Sequence, residues 1–156
     1  FSDIVGFTDI SSSVPAEKIS DMLDRLYMRL DELAEHFGVY KIETIGDAYL
    51  CATNIADNQA SNHAVIMARF AMEAMRAAQA TLIDPDDPSR GNVQIRIGLN
   101  SGPCMASVIG RKNPKYTLFG DTINVASRME SSSRPGRIQC TARTAQLIRA
   151  QEAIAA

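Results

Sequence analysis

No CxxC pair occurs in the chain, and its two histidines, His36 and His63, stand near none of its three cysteines. That argues against a zinc site built from thiolates and imidazoles. Cys51, Cys104 and Cys140 are odd in number and lie in apolar stretches, so they read as reduced thiols of a cytosolic compartment rather than a disulfide framework. No apolar run approaches the roughly 18 residues that a membrane-spanning helix needs, and no signal peptide is visible. Sixteen Lys and Arg stand against eighteen Asp and Glu, a net charge of −2. No basic surplus marks a surface for nucleic acid or an anionic membrane. Internal repeats, low-complexity tracts and long linkers are missing too, and "GLNSG" fits no phosphate-loop template.

What remains is an ordinary globular composition in 156 residues, enough for one domain with a sizeable core. "FSDIVGFT" reads as a short strand and "SSSVP" as a turn whose Pro15 suits the first position of a helix. Ile19, Met22, Leu23, Leu26, Tyr27, Leu30, Leu33 and Phe37 recur at three- and four-residue spacing, a strong amphipathic helix stopped by Gly38. Residues 39 to 55 predict a hairpin turning at Gly46-Asp47. "HAVIMARFAMEAMRAAQATL" is a second helix, with Met67, Met72 and Met75 expected in the core and His63 at its start. "DPDDPSRGN" is a polar loop, and "VQIRIGLNSG" alternates as a half-buried strand should. "CMASVIG" and "KYTLFGD" read as a strand pair joined by "RKNP"; a short helix, a short strand and a final helix follow. The fold class expected is α+β, a ferredoxin-like split βαββαβ antiparallel sheet with helices on one face, plus an appended hairpin and a helix-strand-helix tail.

"KIETIGDAYL" puts two acids, Glu43 and Asp47, four residues apart across a turn. Burying neighbouring carboxylates is costly unless each has a partner. In a split βαββαβ sheet the strand of Asp3 and the hairpin of Asp47 are neighbours at the centre, so those two carboxylates could converge with the Ile4 carbonyl alongside. Oxygen donors on rigid strands suit Mg²⁺ or Mn²⁺, and two such ions assist displacement at phosphorus. The plainer alternative for each aspartate is a turn or capping residue.

"FSDIVGFT", "KIETIGDAYL", "RIGLNSGP", "YTLFGDTINVASRMES" and "GRIQCT" together resemble the catalytic domain of class III nucleotidyl cyclases, most closely the eukaryotic-type guanylyl cyclases. The resemblance runs from Phe1 to about Leu147. It implies a single catalytic domain over 1–156. It also implies two metal ions per active site, Mg²⁺ or Mn²⁺, held by Asp3, Ile4 and Asp47. Glu43 and Thr117 would read the purine, Arg96 would contact phosphate, and Asn124 and Arg128 would orient the ribose and meet charge at the transferring phosphate. In this family the site forms between two head-to-tail domains, so the resemblance implies a homodimer with two shared active sites. Glu43 and Asp47 would then serve different sites.

The reaction implied converts GTP to 3′,5′-cyclic GMP and pyrophosphate. An ionised glutamate accepts from guanine N1–H and the 2-amino group, whereas adenine offers an acceptor at N1. Two departures from the family stand out. Thr117 replaces the cysteine usual in guanylyl cyclases, leaving specificity mostly to Glu43. The lysine that contacts the terminal phosphates lies in a later strand, beyond this chain; Lys112 and Lys115 are in the wrong motif to replace it. The abrupt start at Phe1 suggests a domain excised from a larger protein, with its regulatory partners outside this sequence; the location expected is cytoplasmic, as an intracellular domain of that protein. Two other readings are an adenylyl cyclase of the same fold and a non-catalytic, cyclase-like dimerisation domain; a degenerate partner usually lacks part of the Asp3, Asp47, Asn124 and Arg128 set, and all four are present.

Overall fold

The computed structural model describes residues 1–155. Strand β1 (Ser2–Ile4) runs into helix α1 (Phe7–Ser13) and the long helix α2 (Ala16–Phe37). The hairpin β2 (Tyr40–Ile45) and β3 (Ala48–Ala52) follows, then α3 (His63–Gln79) and β4 (Ile95–Leu99). The hairpin β5 (Met105–Ile109) and β6 (Lys115–Phe119), helix α4 (Asp121–Ser131), strand β7 (Ile138–Cys140) and helix α5 (Ala142–Ala155) complete the chain.

Five strands form one sheet in the order β2-β3-β1-β4-β7, antiparallel except for the parallel β4–β7 pair, and β5–β6 is separate. This is the split βαββαβ arrangement expected, with β1 at its centre. The serines expected to form only a turn are helical: Ser11, Ser12 and Ser13 end α1, each hydroxyl donating to a carbonyl three residues back. Such back-bonding lets serine finish a short helix. Pro15 sits one position before α2, as its N-cap. The polar loop after α3 contains a 3₁₀ turn, Pro88–Arg90, and α3 stops at Gln79, three residues before Leu82, the last residue of the segment read as its helix.

Helix α2 buries Ile19, Met22, Leu26 and Leu30 of the stripe its spacing specified, with Ala34 beside them, while Leu23, Tyr27, Leu33 and Phe37 are partly buried against the same core. Full burial of each larger side chain contributes about 1.5–3 kcal/mol. Gly38 closes the helix at φ 68°, the left-handed conformation that glycine adopts freely. The stripe packs with Phe70, Ala74 and Met75 of α3 on the sheet face carrying Ile95, Ile97 and Leu99. Met67 packs against this core, but Met72 is 49% exposed, because it falls on the outer face of α3. The α3 N-cap, Asn62, makes no side-chain cap. Gln151 of α5 replaces it, its Oε1 accepting from the amides of Ala64 and Val65 at 2.9 and 3.1 Å.

The other face of β4 carries Arg96, Gly98 and Asn100, and α4 lies across it. A Cβ on Gly98 would fall 2.1 Å from the Glu130 amide nitrogen and 2.4 Å from the Ala126 carbonyl oxygen, so only glycine permits this approach. Asn100 Nδ2 donates to the Thr122 carbonyl at 3.1 Å, and Arg96 Nε lies 3.2 Å from Glu130 Oε1. Strand residues two apart thus meet helix residues four apart, Thr122, Ala126 and Glu130. Cys51 and Cys140 are partly buried and Cys104 is exposed; all three are free thiols, as expected.

Candidate active site

The sheet brings Asp3 and Asp47 together. Asp3 is paired across β1–β4 with Arg96, and Ser2 beside it pairs with Tyr49 of β3. Asp47 occupies the tight turn between β2 and β3, after Gly46 at φ 59°. Burial, a hydrogen bond with Asp47, and then the charges of Asp47 and Glu130 push the Asp3 carboxyl up to about 7, against a smaller opposite effect from the Ile4 amide. That amide donates to Asp3 Oδ1 at 3.0 Å and fixes one carboxylate oxygen. Two carboxyls facing each other without a cation are an oxygen-rich donor set with uncompensated negative charge, which fits a hard divalent ion. The Ile4 side chain is buried in the core, 3% exposed, which anchors the strand beneath this pair.

Glu43 goes elsewhere. The β2–β3 register shifts between Lys41 and Glu43, so Ile42 forms a bulge. A bulge changes which face the following residues address. Lys41 reaches Asp31 of α2 at 2.9 Å. Glu43, beyond the bulge, lies 3.7 Å from Lys115 Nζ of β6. Thr117 follows two residues later on β6, its side chain leaving the same side of that strand as Lys115. Tyr40 and Tyr116, with ring centroids 5.5 Å apart, pack β2 against β6.

Asn124 and Arg128 are both exposed on α4. They lie two and six residues past Thr122, roughly opposite the face that sits on β4. Arg128 Nη2 is 3.9 Å from Asp121 Oδ1, with both side chains mostly exposed. Arg96 is engaged by buried Glu130, whose side chain is only 8% exposed. The chain therefore groups Asp3 with Asp47, Glu43 with the strand of Thr117, and Asn124 with Arg128, as three open clusters. A cavity of about 480 Å³ between β3, β4, α4 and α5 includes none of these residues.

Three side chains of the site are not evident from motif spacing. Glu130 is found only once Arg96, Gly98 and Asn100 are read as one strand face against residues four apart on α4. Lys115 stands beside Glu43 rather than near any phosphate position. Tyr27 looks like one more member of the α2 apolar stripe, yet its hydroxyl donates to the Gly46 carbonyl at 2.8 Å. Burial, followed by the charges of Asp47 and Asp3, keeps that phenol protonated by pushing its pKa well up.

The model of the adenylate and guanylate cyclase catalytic domain matches residues 1–155. Guanylyl cyclase C of Homo sapiens is 42% identical over 154 residues, covering 97% of this chain but 14% of that protein. The guanylate cyclase domain of RhGC from Catenaria anguillulae, solved in complex with GTP, superimposes with a TM-score of 0.87 at 40% identity, covering 95% of this chain and 79% of that one. A non-canonical dimeric guanylyl cyclase domain of the RhoGC fusion protein from Blastocladiella emersonii gives 0.86 at 40% identity, covering 95% and 80%. A match over nearly the whole chain, in sequence and in fold, means that this chain belongs to the family of adenylate and guanylate cyclase catalytic domains, the class III nucleotidyl cyclases.

Proposed function

We propose that this chain is the catalytic domain of a guanylyl cyclase, converting GTP to 3′,5′-cyclic GMP and pyrophosphate. The observation that carries the reading is the divergence within one hairpin: Asp47 meets Asp3, while Glu43 turns toward the strand of Thr117. One hairpin then contributes to two sites, as a head-to-tail homodimer with two shared active sites requires. Exposure of Asn124 and Arg128, and of the apolar residues Met105, Val108, Ile109 and Phe119 on the β5–β6 hairpin, supports a partner copy that covers them.

In this reading Asp3, Asp47 and the Ile4 carbonyl hold two Mg²⁺ or Mn²⁺ ions, which supply Lewis acidity to the ribose 3′-hydroxyl and charge neutralisation to the triphosphate. The remaining work is positioning. Glu43 accepts from guanine N1–H and the 2-amino group, and the Thr117 hydroxyl completes the base edge. Asn124 of the copy that holds the base orients the ribose so that its 3′-oxygen lies in line with the α-phosphorus. Arg128 presents a fixed fork of donors to the phosphoryl oxygens as charge develops there. Arg96, already oriented by Glu130, faces the phosphates from the metal-binding copy. The 3′-hydroxyl gives up its proton to solvent, the 3′-oxygen–phosphorus bond forms, the bond to the bridging oxygen breaks, and pyrophosphate leaves with that electron pair. The domain acts on the cytoplasmic side as part of a larger protein, under regulatory domains outside this chain.

Product identification from the purified chain with Mn²⁺ and either GTP or ATP tests the reading. Cyclic GMP from GTP is expected. Preference for ATP makes the domain an adenylyl cyclase, and absence of turnover from an intact dimer makes it a non-catalytic partner.

A further inference from the structure

We infer that Tyr27 is a positioning residue for metal binding: its hydroxyl holds the Gly46 carbonyl at 2.8 Å and so sets the turn that presents Asp47 to Asp3. The inference rests on the reading of Asp3 and Asp47 as metal ligands.

Three observations carry it. The Gly46-Asp47 connection is the shortest kind of hairpin loop, between Ile45 and Ala48, which pair across it. Its glycine has φ 59°, where added side chains are strained, and a Cβ there would meet nothing within 4 Å. No neighbour therefore presses on the turn where a Gly46 side chain would project. The Tyr27 hydroxyl is the one side-chain group among the described residues found bonding to the Gly46–Asp47 backbone. Second, Tyr27 itself is rigidly based. It stands on α2 between buried Leu26 and Leu30, and its ring lies 5.9 Å from that of Tyr49, which is 2% exposed. Third, Tyr49 is also the cross-strand partner of Ser2, next to Asp3. One aromatic pair thus ties the helix to both of the backbones that carry the acids. A metal pair needs its ligands held to a fraction of an ångström, and a two-residue turn without such a tether would let one ligand drift.

The test is Tyr27→Phe, which keeps the ring and its packing and removes only the hydroxyl. Mn²⁺ binding to the chain without nucleotide is followed by the loss of the free-ion electron paramagnetic resonance signal. Hydrogen exchange is read at the amides of Asp47 and Ala48. Loss of one hydrogen bond predicts a Mn²⁺ dissociation constant raised by about threefold to tenfold and faster exchange at those two amides. A purely structural hydroxyl would lower the melting temperature and leave the dissociation constant alone, and that result overturns the inference. Asp3→Asn separates the two levels. If it abolishes Mn²⁺ binding while Tyr27→Phe leaves binding unchanged, the tether is wrong and the metal site stands. If Asp3→Asn leaves binding unchanged, the metal reading and the inference fall together.

Discussion

Lys41 and Glu43 stand two residues apart on one strand and face opposite sides of the sheet. Lys41 Nζ is 2.9 Å from Asp31 on the helix side, and Glu43 Oε2 is 3.7 Å from Lys115 Nζ on the side of β6. Regular alternation would have put both on one face. The bulge at Ile42 turns Glu43 away from the helix layer and toward β6.

On the proposed reading, Glu43 selects the base. Changing Glu43 to Lys together with Thr117 to Asp replaces acceptors by a donor opposite N1 and adds an acceptor for the adenine amino group. The ratio of kcat/KM for GTP to that for ATP is expected to fall by at least about a hundredfold, as sites built around buried hydrogen bonds discriminate strongly. Steady-state rates with both nucleotides decide it, and an unchanged ratio removes Glu43 from the base pocket.

Lys115 is the side chain that Glu43 meets on β6. It is 73% exposed, so its pairing with Glu43 contributes little to stability. Lys115→Met should leave the melting temperature within about 2 °C, since surface substitutions cost at most about 0.5 kcal/mol. Its effect should appear in KM for GTP, with kcat nearly unchanged, because the lysine orients a ground-state contact. A fall in kcat at constant KM would instead place Lys115 at the reacting phosphate.

The order of elements and the acid pair were legible because they rest on short-range signals. The α2 stripe fixes a helix and Gly38 its end, and the apolar alternation of residues 93 to 99 fixes a buried strand. A split βαββαβ order then leaves Asp3 and Asp47 adjacent. The bulge was not legible, since "YKIETI" carries no glycine or other mark at Ile42. The division of labour between Glu43 and Asp47 came instead from family resemblance. Serines 11 to 13 misled because their turn preference is weaker than their ability to back-bond at a helix end. Met72 misled because an apolar side chain on a helix need not point inward. Glu130 and Tyr27 were hidden for a common reason: each acts through a contact more than 15 residues away, which spacing within one element cannot show.

Gly98 is the fulcrum of α4. A methyl group there would overlap the Glu130 amide and the Ala126 carbonyl, both backbone atoms that cannot step aside alone. Gly98→Ala should destabilise the chain by about 3 kcal/mol or more, read as a lower midpoint in urea. Pushing α4 outward also displaces Asn124 and Arg128, so activity should fall further than the folded fraction does.

The Asp3–Asp47 pair costs stability when no cation is present. Folding raises the Asp3 carboxyl from its ordinary 3.8 to about 7, so the folded chain holds a proton that the unfolded chain has released. The stability this contributes is complete below about pH 4 and is lost as pH rises through about 7. Partial solvent exposure of Asp3 reduces the effect to about 1–2 kcal/mol. Asp47→Asn removes only the Asp47 share of a shift whose largest cause is burial, so it should raise the melting temperature by about 1–3 °C at pH 8 and by little at pH 4. Saturating Mn²⁺ should reverse that order, stabilising the parent chain more than the variant. Melting curves at the two pH values, with and without Mn²⁺, check both signs.

A shared site makes a prediction that no monomeric site makes. On the proposed arrangement, Asp3→Asn would remove a metal ligand from one side of each site, and Arg128→Ala would remove the phosphate contact from the other. Arg128 is 66% exposed and paired only weakly with Asp121, so its loss should cost little stability. It should lower kcat by about 10³-fold, the scale of arginines that meet charge in phosphoryl transfer. Each variant alone has two defective sites per dimer. When equal amounts exchange subunits, half of the dimers are mixed. In a mixed dimer both lesions fall in one site and the other is intact. Activity should therefore return to about a quarter of the parent value, because half the dimers each regain one site of two. Recovery must depend on subunit exchange and vanish if the two variants are cross-linked as separate homodimers before mixing. If the mixture stays as inactive as its components while mixed dimers are seen by native mass spectrometry, then Asp3 and Arg128 serve the same copy and the head-to-tail arrangement is wrong.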